Sequence, residues 1–249
     1  HVLEDSGCRG LVVGMSGGVD SSLVAKLCVE AVGAAPVVGV WSGEGAAKGP
    51  DYRDAREWAG TLGIELRRFD IAPLVETFCR SLKIRKDNLT ALGNIKARVR
   101  MIVLYFIANT EKRLVIGTGN KSELATGYFS KFGDGGVDFL PIGDLYKTQV
   151  REMAAHLGVP NRIINKTPTA GLWPGQTDED ELGVRYEVLD RILLGIELHM
   201  TPEEITDQAE VDLKTVHRIE TSVAAGAHKR KPPLIPKVGI RTFGLDWRE

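Results

Sequence analysis

The stretch "LVVGMSGGVDSSLV", residues 11–24, breaks an apolar run with a serine, two glycines and an aspartate, then resumes with helical spacing. Three readings compete for it: a phosphate cradle, a nucleophilic serine, and a plain turn. Where a buried strand ends in a glycine loop that opens a helix, free backbone N–H groups and the positive helix end face an anion. A Walker loop requires GxxxxGK[ST], and the sequence holds no Gly-Lys dipeptide. A dinucleotide loop requires GxGxxG, which Gly14-Met15-Ser16-Gly17-Gly18 does not supply. The nucleophile elbow GxSxG does match, at Gly14, Ser16 and Gly18. That elbow follows several earlier strands, whereas this loop ends the first strand of the chain, and no HGGG-type oxyanion loop is present. What remains is SGGxDS, Ser16 to Ser21. Its glycines would let the backbone approach phosphate groups, and its hydroxyls add donors. Asp20 is a carboxylate beside phosphates, a role that makes sense only through a bridging Mg²⁺.

The elements that must hold this loop follow from the pattern. Leu11–Gly14 and Pro36–Trp41 are short, valine-rich runs bounded by glycine, and each precedes a helical segment, Asp20 to about Ala31 and Asp51 to about Leu62. Glu65–Asp70 and Leu114–Gly117 are further strand candidates. Alternation of this kind predicts an α/β fold with a parallel, doubly wound, Rossmann-like sheet flanked by helices. A long helix is expected from about Asn94 to Glu111, with Ile95, Val99, Ile102, Val103 and Phe106 on one apolar side. The 249 residues, 43% hydrophobic and 26% charged, suffice for one domain, 1–249, with no repeat or low-complexity linker. A formal net charge of −1 gives no nucleic-acid or membrane surface, and no apolar run reaches the roughly 20 residues of a bilayer span. Cys8, Cys28 and Cys79 lack metal or disulfide spacing, and no secretory signal precedes them. The expectation is a reduced, cytoplasmic protein in which the "NLT" at Asn88 and "NKS" at Asn120 are chance matches to a glycosylation pattern.

SGGxDS resembles the pyrophosphate loop of the N-type ATP pyrophosphatases. Downstream, residues 94–105 read "NIKARVRMIVLY", residues 116–149 read "IGTGNKSELATGYFSKFGDGGVDFLPIGDLYKTQ", and residues 168–183 read "PTAGLWPGQTDEDELG". With "HKR" at residues 228–230, these resemble the ammonia-dependent NAD synthetase family over essentially the whole chain. The resemblance implies ATP-dependent amidation of deamido-NAD, the last step of NAD biosynthesis. The nicotinate carboxylate attacks the α-phosphorus of ATP, pyrophosphate leaves, and ammonia then displaces AMP from the acyl-adenylate. Carried over by motif, Gly14, Met15, Ser16, Gly17, Gly18, Val19, Asp20 and Ser21 hold the ATP phosphates. Asp20 and Glu123 bind Mg²⁺, and Thr118, Lys147 and Thr169 contact ATP. Arg98, Tyr105, Lys131, Asp138, His228 and Lys229 contact deamido-NAD. Lys131 and Asp138 also carry the catalytic roles, the lysine neutralising charge and the aspartate orienting ammonia or taking its proton. A homodimer is implied, with the dinucleotide near the subunit interface and Tyr105 serving both.

Other readings of the same residues stand beside these. Arg98 and Arg100 on an isolated helix would be a solvated face, Tyr105 plain core, and Lys131–Gly136 a polar hairpin loop. Thr177 with Asp180 reads as a helix cap, with Asp178 and Glu179 solvated between them. The loop from Ser42 lacks the proline-rich start of the family, so the residues holding adenine and ribose are open, Lys48 among them. Glu203–Glu220 has a helix-turn-helix rhythm, but only Lys214, His217 and Arg218 would face DNA. Thiolation would need a cysteine pair, and glutamine hydrolysis a further amidase domain of roughly 200 residues. Ammonia is therefore expected from solution or from a separate protein. Because an acyl-adenylate must be kept from water, Phe129–Gly136 and Gly171–Gly175 are expected to close over the site.

Overall fold

Four short runs, valine-rich in the first two, pair into one parallel sheet. These are β1 (Gly10–Gly14), β2 (Val37–Gly43), β3 (Glu65–Asp70) and β4 (Arg113–Ile116), in the order β3-β2-β1-β4. The protein is seen in a computed structural model that describes residues 1–45, 49–84 and 87–240. Lys48 lies outside the described residues. In register, Val12 pairs with Val38 on one side and with Val115 on the other. Val12 and Val13 point to opposite faces of the pleat, and both are fully buried. Only a sheet covered on both sides explains that pair.

One face packs Leu11, Val13 and Met15 against the helices Val19–Val32, Pro50–Leu62 and Lys147–His156. The other packs Val12, Val38, Val40 and Val115 against Val103, Ile107 and Ala108 of the long helix Leu89–Glu111. The long helix begins earlier than Asn94 because the Asn88 side chain caps it, accepting from the Ala91 N–H at 3.0 Å. Its apolar side is also not the expected one. Val99 and Val103 are buried, but Ile102 and Phe106 are 52% and 65% exposed. The buried stripe continues at Ile107 instead, four residues after Val103.

Glu203–Glu220 spans two helices, Pro202–Ala209 and Leu213–Ala225, whose Ile205, Ala209, Val216 and Ile219 are buried with Tyr186, Leu189 and Ile192. That helix pair builds a core behind the site. Among the described residues no helix is long and apolar enough to cross a membrane.

The strand order places a topological switch between β1 and β4. The chain runs outward from β1 through β2 to β3, then returns to the other side of β1. Ligands of open α/β sheets bind at the carboxyl ends of the strands flanking such a point. Here the loops leaving β1 and β4 are Met15–Gly18 and Gly117–Asn120.

Candidate active site

The loop after β1 is wound on itself by hydroxyls. Ser21 Oγ donates to the Gly18 carbonyl (3.1 Å) and accepts from the Ser16 N–H (3.2 Å), and Ser16 Oγ accepts from the Gly18 N–H (3.2 Å). Gly17 takes φ +85°, and a Cβ there would run into the Asp51 carbonyl, so only glycine fits. The Gly17 carbonyl is turned outward to Lys166 Nζ at 2.9 Å. Lys166 also meets Asp51 at 2.8 Å and Asp54 at 2.6 Å, tying the loop to the helix behind it.

Across the switch point, Asp20 from the β1 side meets Glu123 and Lys147 from the β4 side. Lys147 Nζ lies 2.6 Å from Asp20 Oδ2 and 3.6 Å from Glu123 Oε1. Asn120 Nδ2 donates to Asp20 Oδ1 at 2.9 Å. Burial disfavours the Lys147 ammonium, but Asp20 and Glu123 outweigh it and hold its proton more tightly than usual. Burial pushes Glu123 above the ordinary carboxylate range; Lys147 offsets this in part and the Asp20 charge adds to it. Behind them, buried Asp190 accepts from Ser122 Oγ (2.5 Å) and the Thr148 N–H (2.9 Å), and Ser122 Oγ accepts from the Lys147 N–H (2.9 Å).

Asp178 corrects the reading of "QTDED". Thr177 does cap its helix, accepting from the Asp180 N–H at 3.1 Å. Asp178, however, is 3% exposed, turned inward to Tyr128 OH (3.2 Å) and Tyr186 OH (3.0 Å). Burial raises its proton affinity, against the opposing effects of Lys147 and the two tyrosines.

Asp20, Glu123, Tyr128, Lys147, Lys166 and Asp178 line one cavity of about 900 Å³. Of the expected site residues, Gly14, Met15, Ser16, Gly18, Val19, Asp20, Ser21, Thr118, Glu123, Lys147, Thr169 and Lys229 border it. Gly17 is the braced back of the loop. Arg98, Tyr105, Lys131, Asp138 and His228 stand beyond the cavity wall, in two linked groups. Arg98 donates to the Lys131 carbonyl (3.2 Å), and Lys131 Nζ donates to the His228 carbonyl (2.7 Å). Tyr105 OH donates to Asp138 Oδ1 (2.8 Å), and Asp138 Oδ2 accepts from the Val115 N–H (2.8 Å). Tyr105 is thus hydrogen-bonded to a carboxylate, not plain core, and Lys131–Gly136 is a turn that closes on Asp134, which accepts from the Ser130 N–H at 2.9 Å. Phe129, Gly133, Gly171 and Trp173 of the two expected lids do border the cavity. Lys96 holds the Gly171–Gly175 segment by the Leu172 carbonyl at 2.7 Å and reaches Glu44 at 2.7 Å.

Lys229 Nζ donates to the carbonyls of Gly127 (2.6 Å) and Phe129 (2.8 Å). This clasp depends on two glycines in backbone contact. A Cβ on Gly226 would stand 2.9 Å from the Gly127 Cα, and one on Gly127 would stand 2.7 Å from the Gly226 Cα. Gly226→Ala is therefore expected to cost about 1–3 kcal/mol in urea unfolding by forcing the two backbones apart. Unchanged stability would show that the clasp tolerates a side chain.

The NAD synthase family model matches residues 1–233. The chain belongs to that family. An NH(3)-dependent NAD(+) synthetase of Methanococcoides burtonii is 47% identical over 94% of this chain and 89% of that protein. Among solved structures, an NMN synthetase from Francisella tularensis superposes with a TM-score of 0.82 at 39% identity, covering 94% of this chain and 91% of that one. An NH3-dependent NAD synthetase from Campylobacter jejuni, in complex with the nitrate ion, superposes with a TM-score of 0.80 at 29% identity, covering 95% of this chain and 93% of that one.

Set against this NAD synthase fold, sequence reasoning left out Asn120, Lys166, Lys96 and the buried face of Asp178. Asn120 carried a signal, standing three residues before Glu123 as a helix cap does. Its side chain is fully buried, which removes "NKS" as a glycosylation site. Lys166 and Lys96 gave no local signal, since their partners lie far away in the chain. Cys28 is no rival nucleophile: burial pushes its thiol up to about 12.

Proposed function

We propose that this chain amidates the nicotinate carboxylate of deamido-NAD with free ammonia, consuming ATP and releasing AMP and pyrophosphate. The observation that carries the reading is the meeting of a phosphate-type loop with Asp20, Glu123 and Lys147 at the switch point of a parallel sheet, in a chain of the NAD synthase family. The positive end of the helix that starts at Val19 favours an anion there. Lys147, held charged, is suited to a phosphate oxygen.

Mg²⁺ fits the donor set. Asp20 and Glu123 are hard oxygen donors from the first turns of two helices, and the buried Glu123 carboxylate calls for more positive charge than Lys147 supplies. When bound with ATP, the ion would supply charge neutralisation on the phosphates. Arg98, Lys131 and Lys229 offer positive charge on the side where the dinucleotide would lie. Asp138, tied to Tyr105 and Val115, orients the wall between that side and β4.

The reading includes one synthetase unit over residues 1–249, in a cytoplasmic setting that the three free cysteines suit. Turnover is expected with ammonium salts and almost none with glutamine; comparable rates in a preparation free of other proteins would contradict it. The reading also includes a homodimer, because Ile102 and Phe106 lie exposed on the long helix beside Tyr105. Light scattering at micromolar concentration should give twice the chain mass, and Phe106→Glu should lower it. A strictly monomeric wild type would contradict the dimer.

A further inference from the structure

Asn120 is fully buried and reaches both acidic groups of the site. Its Oδ1 accepts from the Glu123 N–H at 3.0 Å, and its own N–H donates to Glu123 Oε2 at 3.3 Å, a reciprocal cap on the helix Lys121–Thr126. Its Nδ2 donates to Asp20 Oδ1 at 2.9 Å. The two partners fix the orientation of the amide: a backbone N–H can only donate and a carboxylate can only accept. Serine, threonine and aspartate would cap the helix comparably. Of these, asparagine alone carries an amide that accepts from the cap and donates to a carboxylate.

Lys147 also bridges the pair, but as a charge that phosphate oxygens would claim. Asn120 is neutral and has no such competitor. We infer that Asn120 is a positioning residue: it sets the Asp20 carboxylate against Glu123, so that the pair keeps its spacing when Lys147 turns to phosphate. The inference rests on the functional reading above and adds a residue through which the acidic pair is set.

The test is Asn120→Ser, which keeps a cap and removes the donor to Asp20. The variant should melt within about 4 °C of wild type. Calorimetric titration with Mg-ATP, without deamido-NAD, should give about tenfold weaker binding, the usual scale for one hydrogen bond to a charged group. The Mg²⁺ concentration for half-maximal pyrophosphate release should rise, with KM for deamido-NAD unchanged. A double-mutant cycle guards against a variant that folds poorly. On Asp20→Ala, which has no acceptor left for the Asn120 amide, the same serine change should add less than about twofold to the loss of pyrophosphate release. Wild-type Mg-ATP affinity in Asn120→Ser, or fully additive losses in the cycle, would reduce Asn120 to a helix cap and overturn the inference. A wild-type chain that does not bind Mg-ATP would overturn the functional reading and this inference together.

Discussion

Asp20→Asn is expected to fold and to lose about 10²–10³-fold in kcat, the usual scale for removing one preorganised electrostatic contact. The carboxylate stands 2.6 Å from Lys147 and 2.9 Å from the Asn120 amide, so an isosteric amide can keep one of the two bonds. What it cannot keep is the negative charge facing Glu123 across the switch point. Steady-state rates at saturating Mg²⁺, with unfolding followed in parallel, check this. A variant near the wild-type rate would remove Asp20 from the chemistry and leave SGGxDS as a turn.

Lys147→Met should be the most damaging single change. The side chain is 3% exposed and compensates two acidic groups, so removing it leaves Asp20 and Glu123 facing each other with little solvent. Breaking a buried pair in this way costs about 3–5 kcal/mol. The sign with pH follows from the carboxylate left behind. Glu123 already binds its proton more tightly folded than unfolded, and losing Lys147 widens that gap. The folded variant then holds more protons than the unfolded chain, so its stability falls as pH rises above the ordinary carboxylate range. Urea unfolding at mildly acidic and neutral pH should show the deficit growing toward neutrality. A deficit independent of pH would mean that packing against the Tyr186 ring, 5.2 Å from Nζ, matters more than charge.

The sheet was legible because it is written in contiguous runs. Glu65–Asp70 emerged with the expected bounds, and the other three strands within two residues. The glycine loop after β1 was legible as a strand-to-helix turn for the same reason: its hydroxyl partners lie within a few residues of one another. Long-range contacts were less legible. Lys166 reaches Gly17 and Asp51 across more than a hundred residues, and neither end has a type or spacing that predicts the other. The long helix was misread at Ile102 and Phe106, because apolar spacing alone does not separate a sheet-facing stripe from a second exposed one. Asp178 was misread because capping explains Thr177 and Asp180 fully, leaving no reason to look for an inward-facing neighbour. Tyr186 and Tyr128, its partners, lie on other elements.

The central claim is best tested by one incubation of the protein with deamido-NAD, ATP, Mg²⁺ and ammonium, with every product quantified. The account predicts NAD, AMP and pyrophosphate in equal amounts, with NAD absent when ammonium is withheld. Formation of ADP and phosphate, or no NAD under any of these conditions, would contradict it.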